Sequence, residues 1–299
     1  MVRPRHAAEY AALRLALPFL SALPAGAVDA IAVALAAAMW AAGWRRAETI
    51  RRIRSVPGLA VDDLEATRIG RRALVNFLRG LLDAARAPRL SASWVRRHVR
   101  IDGEGHLRAA VQGGRGAIIA LAHLGSWEMA GLVGPLLRLP LVALAAEQRN
   151  PLASRFLMEW RRRNGTEVIA RSPTALVRMV RRLKAGALVA IPIDLRAPTP
   201  ALRVRFLGGE ANLGRGLCAA ARLAQVVVVP CAIFRESPRQ HVFRLYPPLS
   251  PPPRESMDPD AVNRALLQAV VDALEPEIRR HPDQYFWFNR RWVLDPLPG

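Results

Sequence analysis

Short, uninterrupted apolar runs punctuate this chain at residues 117–122, 141–146, 187–193 and 226–234, each bounded by Gly, Pro, Asn or charged turns. Runs of that length with those flanks predict strands buried on both faces of a sheet. Shorter strands are predicted at 166–170, 203–207 and 242–246, the last as an edge strand. Between them the period changes to that of helices at 62–85, 151–163, 173–185, 215–225 and 260–280. In the first of these, Leu64, Ile69, Ala73, Leu74, Phe77, Leu78 and Leu81 share one sector, with Arg68, Arg71, Arg72 and Arg79 around it. Gly103 and Gly105 read as a turn into a further helix, and Pro276 interrupts the last helical pattern. Strand and helix patterns alternate, which predicts an α/β fold in one large domain.

The amino-terminal pattern differs. Residues 15–44 carry one charge, Asp29, with Pro18 and Pro24 breaking the early part. Residues 27–44 have the length to span a bilayer, but they are mostly alanine, and Asp29 is costly in hydrocarbon. Three readings stay open: a membrane span or shallow hairpin, an interfacial helix docked on the domain, and a cleaved signal peptide. Arg45, Arg46, Arg51, Arg52 and Arg54 follow the run, against Arg3, Arg5 and Arg14 before it. That asymmetry keeps the following body on the cytoplasmic side, and Trp40 and Trp44 suit an interfacial anchor. Residues 1–54 are therefore expected to form a membrane-associated segment and 55–299 an α/β domain.

Charge narrows the partners. The chain has 44 Lys and Arg against 24 Asp and Glu, a formal net charge of +20, and Lys184 is its sole lysine. An arginine excess of that kind reflects coding bias in part. Aromatic residues are 6% of the chain and do not interleave with the basic ones as nucleic-acid grooves require. An anionic membrane surface, an anionic lipid or an acidic carrier protein fits better. Cys218 and Cys231 show no metal or redox spacing and read as core thiols in a reducing compartment.

Candidate chemistry concentrates in GAIIALAHLGSWEMAG, residues 116–131. His123 ends a buried strand, where ligands bind in open α/β sheets. Leu124, Gly125 and Ser126 turn the chain, Ser126 is placed to cap a helix from Trp127, and Glu128 falls in its first turn. A histidine beside a carboxylate can act as a general base. Alternatively the backbone satisfies His123, and Glu128 complements the helix dipole. Two such ligands do not fill a zinc shell. Asp194 ends a second buried run and is a further carboxylate partner. The glycines of GGEANLGRG read equally as a phosphate cradle before a helix and as an ordinary turn.

AHLGSWEMAG resembles the H-x4-[DE] block of the bacterial lysophospholipid acyltransferase superfamily, in the branch of lipid A (Kdo2-lipid IVA lauroyl/myristoyl) acyltransferases. QRNPLASRFLMEWRRRNG, LKAGALVAIPID, VRFLGGEANLGRGLCAAARLA and DQYFWFNRRW resemble its later blocks in order, the last its W-x-x-R-R signature. The resemblance implies a glycerolipid-acyltransferase-like sheet flanked by helices, with the apolar amino-terminal segment associated with the membrane. It implies transfer of a fatty acyl chain from an acyl-ACP or acyl-CoA thioester to a hydroxyl of an anionic glycolipid. Lipid A biosynthesis at the cytoplasmic face of the cell inner membrane is the expected setting, with a phosphatidylinositol mannoside-type acceptor as the alternative. No cofactor or metal is implied. His123 would be the base, Glu128 and Asp194 its candidate carboxylates, and Arg149, Arg161, Asn212, Arg290 and Arg291 substrate contacts. One departure is Leu195, where the family commonly has Gln. If the resemblance holds, Asp194 should reach His123 or Arg161, and Glu128 should lie within one bridging water of the imidazole. Two other classes remain: a non-catalytic peripheral membrane protein, and a hydrolase with Ser126 as nucleophile, although GxSxG is absent.

Overall fold

The computed structural model describes residues 4–132, 134, 137–145, 150–163, 165–251, 253, 255 and 258–297. Its strands are β1 (Val99–Asp102), β2 (Ile118–Leu121), β3 (Leu141–Ala145), β4 (Thr166–Ala170), β5 (Leu188–Pro192), β6 (Leu202–Phe206), β7 (Gly209–Leu213), β8 (Val228–Ser237) and β9 (Gln240–Leu245). Seven of them form one sheet in the order β1-β9-β8-β2-β5-β3-β4, and β6 and β7 form a separate hairpin. Every pairing in the large sheet is parallel except β8 with β9. The apolar runs are explained by burial on both sides. Ile118 and Ala120 pack into one core, while Ile119 and Leu121 pack into the other.

Two expectations change here. The strand at 242–246 is not an edge, because β1 pairs outside it. β1 is four residues of mixed polarity, VRID, and carries no apolar run to announce it. The glycine-rich stretch resolves into a hairpin rather than a cradle: Gly208, at φ +80, makes the turn and β7 returns along β6.

The helices are α1 (Pro4–Ala22), α2 (Ala25–Ala41), α3 (Arg46–Arg54), α4 (Asp63–Arg86), α5 (Ala92–His98), α6 (Glu104–Val111), α7 (Pro151–Arg162), α8 (Ala175–Lys184), α9 (Gly216–Ala224) and α10 (Pro259–Arg280). Asp62 caps α4 by accepting from Glu65 N at 2.7 Å. Its predicted apolar sector buries Ile69, Ala73 and Leu74, but Leu64 and Leu81 stay exposed. α10 continues through Pro276. Both cysteines are free and buried, and burial pushes each thiol up to about 12.

Among the described residues no single helix is long and apolar enough to cross a membrane, although α2 and α3, bent by 93°, pass that test as a pair. The amino-terminal helices are tied to the body by specific contacts. Asp29 pairs with Arg79 of α4 at 2.5 Å, which neutralises the charge that sits badly in an apolar run. Ala36, Trp40, Ile53 and Val56 join the larger core. Gly70 makes room for the Trp40 ring, which a Cβ there would meet at 2.6 Å. Asn150 caps α7 through Leu152 N and Ala153 N and donates to the carbonyl of His6 on α1 at 2.8 Å.

Candidate active site

Parallel register builds the centre of the site. β2 and β5 are neighbours with Leu121 opposite Pro192. Two residues further on, the same register sets His123 beside Asp194, at the carboxyl edge of the sheet. Asp194 Oδ1 lies 2.6 Å from His123 Nδ1, and its Oδ2 accepts the His123 backbone N–H at 2.8 Å. The carboxylate is buried, 3% exposed. An anionic acceptor at Nδ1 places the proton there and leaves Nε2 as the basic nitrogen. Nε2 has no hydrogen-bond partner among the described residues. Tyr285 adds its hydroxyl to Asp194; burial first, and then the Asp194 charge, push that phenol well above its usual range.

The segment after α10 forms the wall behind the histidine. Phe286 N donates to the His123 carbonyl at 3.0 Å, Gly125 N donates to Gln284 O at 3.0 Å, and Leu124 bridges to Tyr285. Gly125 is required at that bend: φ is +56, and a Cβ would sit 2.6 Å from the Ile233 carbonyl. The imidazole is enclosed by rings, with Trp127 edge-on at 5.1 Å and Phe286 at 5.9 Å between centroids. Phe77 of α4 stacks on Phe286 at 4.7 Å.

After Ser126 the chain forms a 3-10 turn, Trp127–Leu132, rather than the α-helix expected. Ser126 is fully buried, and its hydroxyl does not cap that turn. It donates to Asp83 at 3.0 Å and accepts from Arg235 at 2.6 Å. A serine held in this way has no approach for a substrate, so the hydrolase alternative loses its nucleophile. Glu128 does not hydrogen-bond His123. It grips Arg161 of α7 in a two-pronged contact, at 2.6 and 3.1 Å. Burial opposes the Arg161 charge, and Glu128 outweighs it, so the guanidinium is held above its usual value. Of the two carboxylates, Asp194 faces the base and Glu128 faces the arginine.

The family described as bacterial lipid A biosynthesis acyltransferase matches residues 4–293. The chain belongs to that family. Two relatives are named phosphatidylinositol mannoside acyltransferases. One, from Mycobacterium tuberculosis, is 28% identical over 201 residues, covering 65% of this chain and 60% of the relative's own length. The other, from Mycolicibacterium smegmatis, is 24% identical over 280 residues, covering 90% of this chain and 88% of the relative.

The remaining residues expected in this acyltransferase-family site are placed as follows. Arg149 lies outside the described residues. Arg290 is exposed. Arg291 is half-buried and donates from Nε to the Arg196 carbonyl at 2.8 Å. Asn212 is engaged elsewhere: its Oδ1 accepts from Ala201 N and its Nδ2 donates to Thr199 O, both at 2.8 Å. Both ends of that amide fix the loop before β6. The aromatic wall of Phe77, Trp127 and Phe286, and the Tyr285 hydroxyl, were not expected at the site. Their signal is the run of aromatic residues in DQYFWFNRRW. Among the described residues no group of three or more His, Cys, Asp and Glu side chains gathers to hold a metal.

Proposed function

We propose that this protein is an O-acyltransferase that moves a fatty acyl chain from a thioester donor to a hydroxyl of an anionic glycolipid. The observation that carries this is the His123–Asp194 pair at 2.6 Å, at the carboxyl edge of the sheet in a chain of an acyltransferase family. His123 Nε2 takes the acceptor hydroxyl proton as that oxygen attacks the thioester carbonyl. Asp194 holds the Nδ1–H tautomer and stabilises the imidazolium. The tetrahedral intermediate collapses with cleavage of the C–S bond, and the imidazolium returns its proton to the departing thiolate. The opening N–H groups of the turn at Trp127 lack partners within the turn and supply the oxyanion contacts, with Arg161, oriented by Glu128, beside them. No step calls for a metal.

The acceptor we favour is a lipid A precursor, with acyl-ACP or acyl-CoA as donor. A phosphatidylinositol mannoside-type acceptor is the second reading, favoured by the mycobacterial relatives. Membrane association at the cytoplasmic face belongs to the same proposal. Leu15 and Phe19 of α1 and Val33 and Leu35 of α2 are exposed, as an interfacial pair of helices requires.

The test is His123→Ala in the full-length protein, assayed for thioester release and ester formation. Turnover should fall by about a hundredfold to ten-thousandfold in a variant that remains folded. A folded variant with more than about a tenth of wild-type turnover would remove His123 as the base. Mass spectrometry of membrane glycolipids with and without the protein identifies the acceptor.

A further inference from the structure

We propose that Arg171, Arg196 and Arg291 form a phosphate-binding site at the carboxyl edge of the sheet, next to the His123–Asp194 pair. It takes a phosphate mono- or diester group of one of the two substrates. The proposal rests on the acyl-transfer reading for its context, and on the arrangement of the arginines for its substance.

The three residues come from separate places, and backbone contacts lock two of them, Arg196 and Arg291, together. Arg171 follows β4, and its N–H donates to Ala145 O at the end of β3. Arg196 lies two residues beyond Asp194. Its N–H donates to the Arg291 carbonyl at 3.0 Å, and the Arg291 guanidinium donates back to the Arg196 carbonyl. The next residue, Ala197, donates to Asn212 O, so the hairpin anchors the pair from behind. Along the edge, β5 adjoins β2, and β4 is two strands beyond β5. At about 4.8 Å per strand, the site extends on the order of 10 Å from Asp194, close enough for one substrate to reach both.

Among the described residues the charges in this cluster are unmatched. Elsewhere, several arginines have carboxylates: Arg52 has Asp295 and Glu48, Arg161 has Glu128, Arg235 has Asp83, and Arg244 has Glu277. Among the described residues no carboxylate forms an ion pair with Arg171, Arg196 or Arg291. Nε and Nη1 of Arg196 are buried without a hydrogen-bond partner. Burial, followed by repulsion from Arg171 and Arg196, holds the Arg291 guanidinium below its usual value. Two cations close enough to repel a third, with unpartnered donors on Arg196, suit the charge and the fork geometry of a phosphate.

Arg171→Gln and Arg196→Gln both preserve the fold, because Arg171 is exposed and Arg196 gives Arg291 its backbone carbonyl rather than its side chain. Calorimetric titration of the full-length protein with inorganic pyrophosphate, at constant ionic strength, reads the site without any turnover. Wild type should bind, and each variant should bind at least tenfold more weakly, the effect of losing one charge-assisted contact. Equal affinity in the variants, or no binding by wild type, overturns the site. Kinetics then identify the substrate. KM should rise about tenfold in Arg171→Gln, with kcat moving far less, for one phosphate-bearing substrate: acyl-CoA compared with acyl-N-acetylcysteamine, or a phosphorylated acceptor compared with its dephosphorylated form. For the phosphate-free counterpart, wild type and variant should converge; an equal rise for both forms of each substrate overturns the assignment. If wild type transfers no acyl group to any acceptor, the acyl-transfer reading fails, and the titration still decides the arginine site.

Discussion

A carboxylate that holds both the ring and the backbone N–H of one histidine removes two freedoms at once, the tautomer and the tilt. Asp194 does this with separate oxygens, at 2.6 and 2.8 Å. Asparagine can replace only one of those acceptors, since its other terminal atom is a donor. Asp194→Asn should therefore lower turnover by about a hundredfold or more and also lower the melting temperature. Tyr285→Phe removes the donor behind Asp194 and should cost less, on the order of tenfold, chiefly in kcat. A variant Asp194→Asn that keeps a tenth of wild-type turnover would show that the contact is structural only. Both members of this pair were legible, because each ends an apolar run that reads as a strand. Their pairing depends on which strands are neighbours, which local pattern does not encode. Glu128 shows the converse. Five residues from His123 in sequence, it pairs with an arginine on α7, since nearness along the chain does not set the direction of a side chain.

At the scale of elements, the segment behind His123 is held by a side chain from the opposite end of the chain. Arg52 of α3 is 1% exposed and donates to the carbonyls of Trp287 and Asn289, at 2.7 and 2.8 Å, and to the Asp295 carboxylate at 2.7 Å. Its ring neighbour is Trp292 at 5.3 Å. Removing the guanidinium strands all three acceptors. Arg52→Met should destabilise the protein by about 3–5 kcal/mol, read as a lower urea midpoint, and should reduce activity by loosening the wall of the site. Arg51→Met is the control: Arg51 is 67% exposed and 4.0 Å from Asp295, so its effect should stay within about 0.5 kcal/mol. If the two variants match, the tether carries no stability. In the sequence Arg52 stands out only as one of a basic cluster beside the apolar amino-terminal run. Charge counting could not separate this buried arginine from its exposed neighbours. α4 was legible for the opposite reason: its cap and its period are local.

For the molecule as a whole, buried titrating groups set the response to acid. His241 is 1% exposed. Burial, and then the charges of Arg235 and His98, depress its pKa from 6.5 to about 3. Asp83 lies 3.9 Å from its Nε2 but is already engaged by Arg235 and Ser126. A depressed folded-state pKa contributes stability that is present above 6.5 and is lost as pH falls toward 3. Glu277 acts in the same direction. Burial opposes its charge, but Tyr246 and Arg244 outweigh that and hold the carboxylate below its usual value. Unfolding free energy should fall by about 1.4 kcal/mol per pH unit from His241 alone in that window. Urea titrations between pH 7.5 and 4 check this, and His241→Gln should flatten the slope by that amount. An unchanged slope would remove His241 as its source. Sequence gave no hint of this group, because a histidine in QHVFRL reads as one side of a strand until its neighbours are known.

The backing of His123 by residues 284–287 has a consequence for the timing of synthesis. A chain arrested before Tyr285 already contains His123, Asp194, Glu128 and Arg161, yet the imidazole has no Phe286 beside it and Asp194 has no phenol. At about 5–20 residues per second, that segment leaves the ribosome on the order of ten seconds after the histidine. On the acyl-transfer reading, the nascent protein should therefore complete most of its assembly before the wall behind the imidazole is in place, and reach full activity only when that aromatic segment docks.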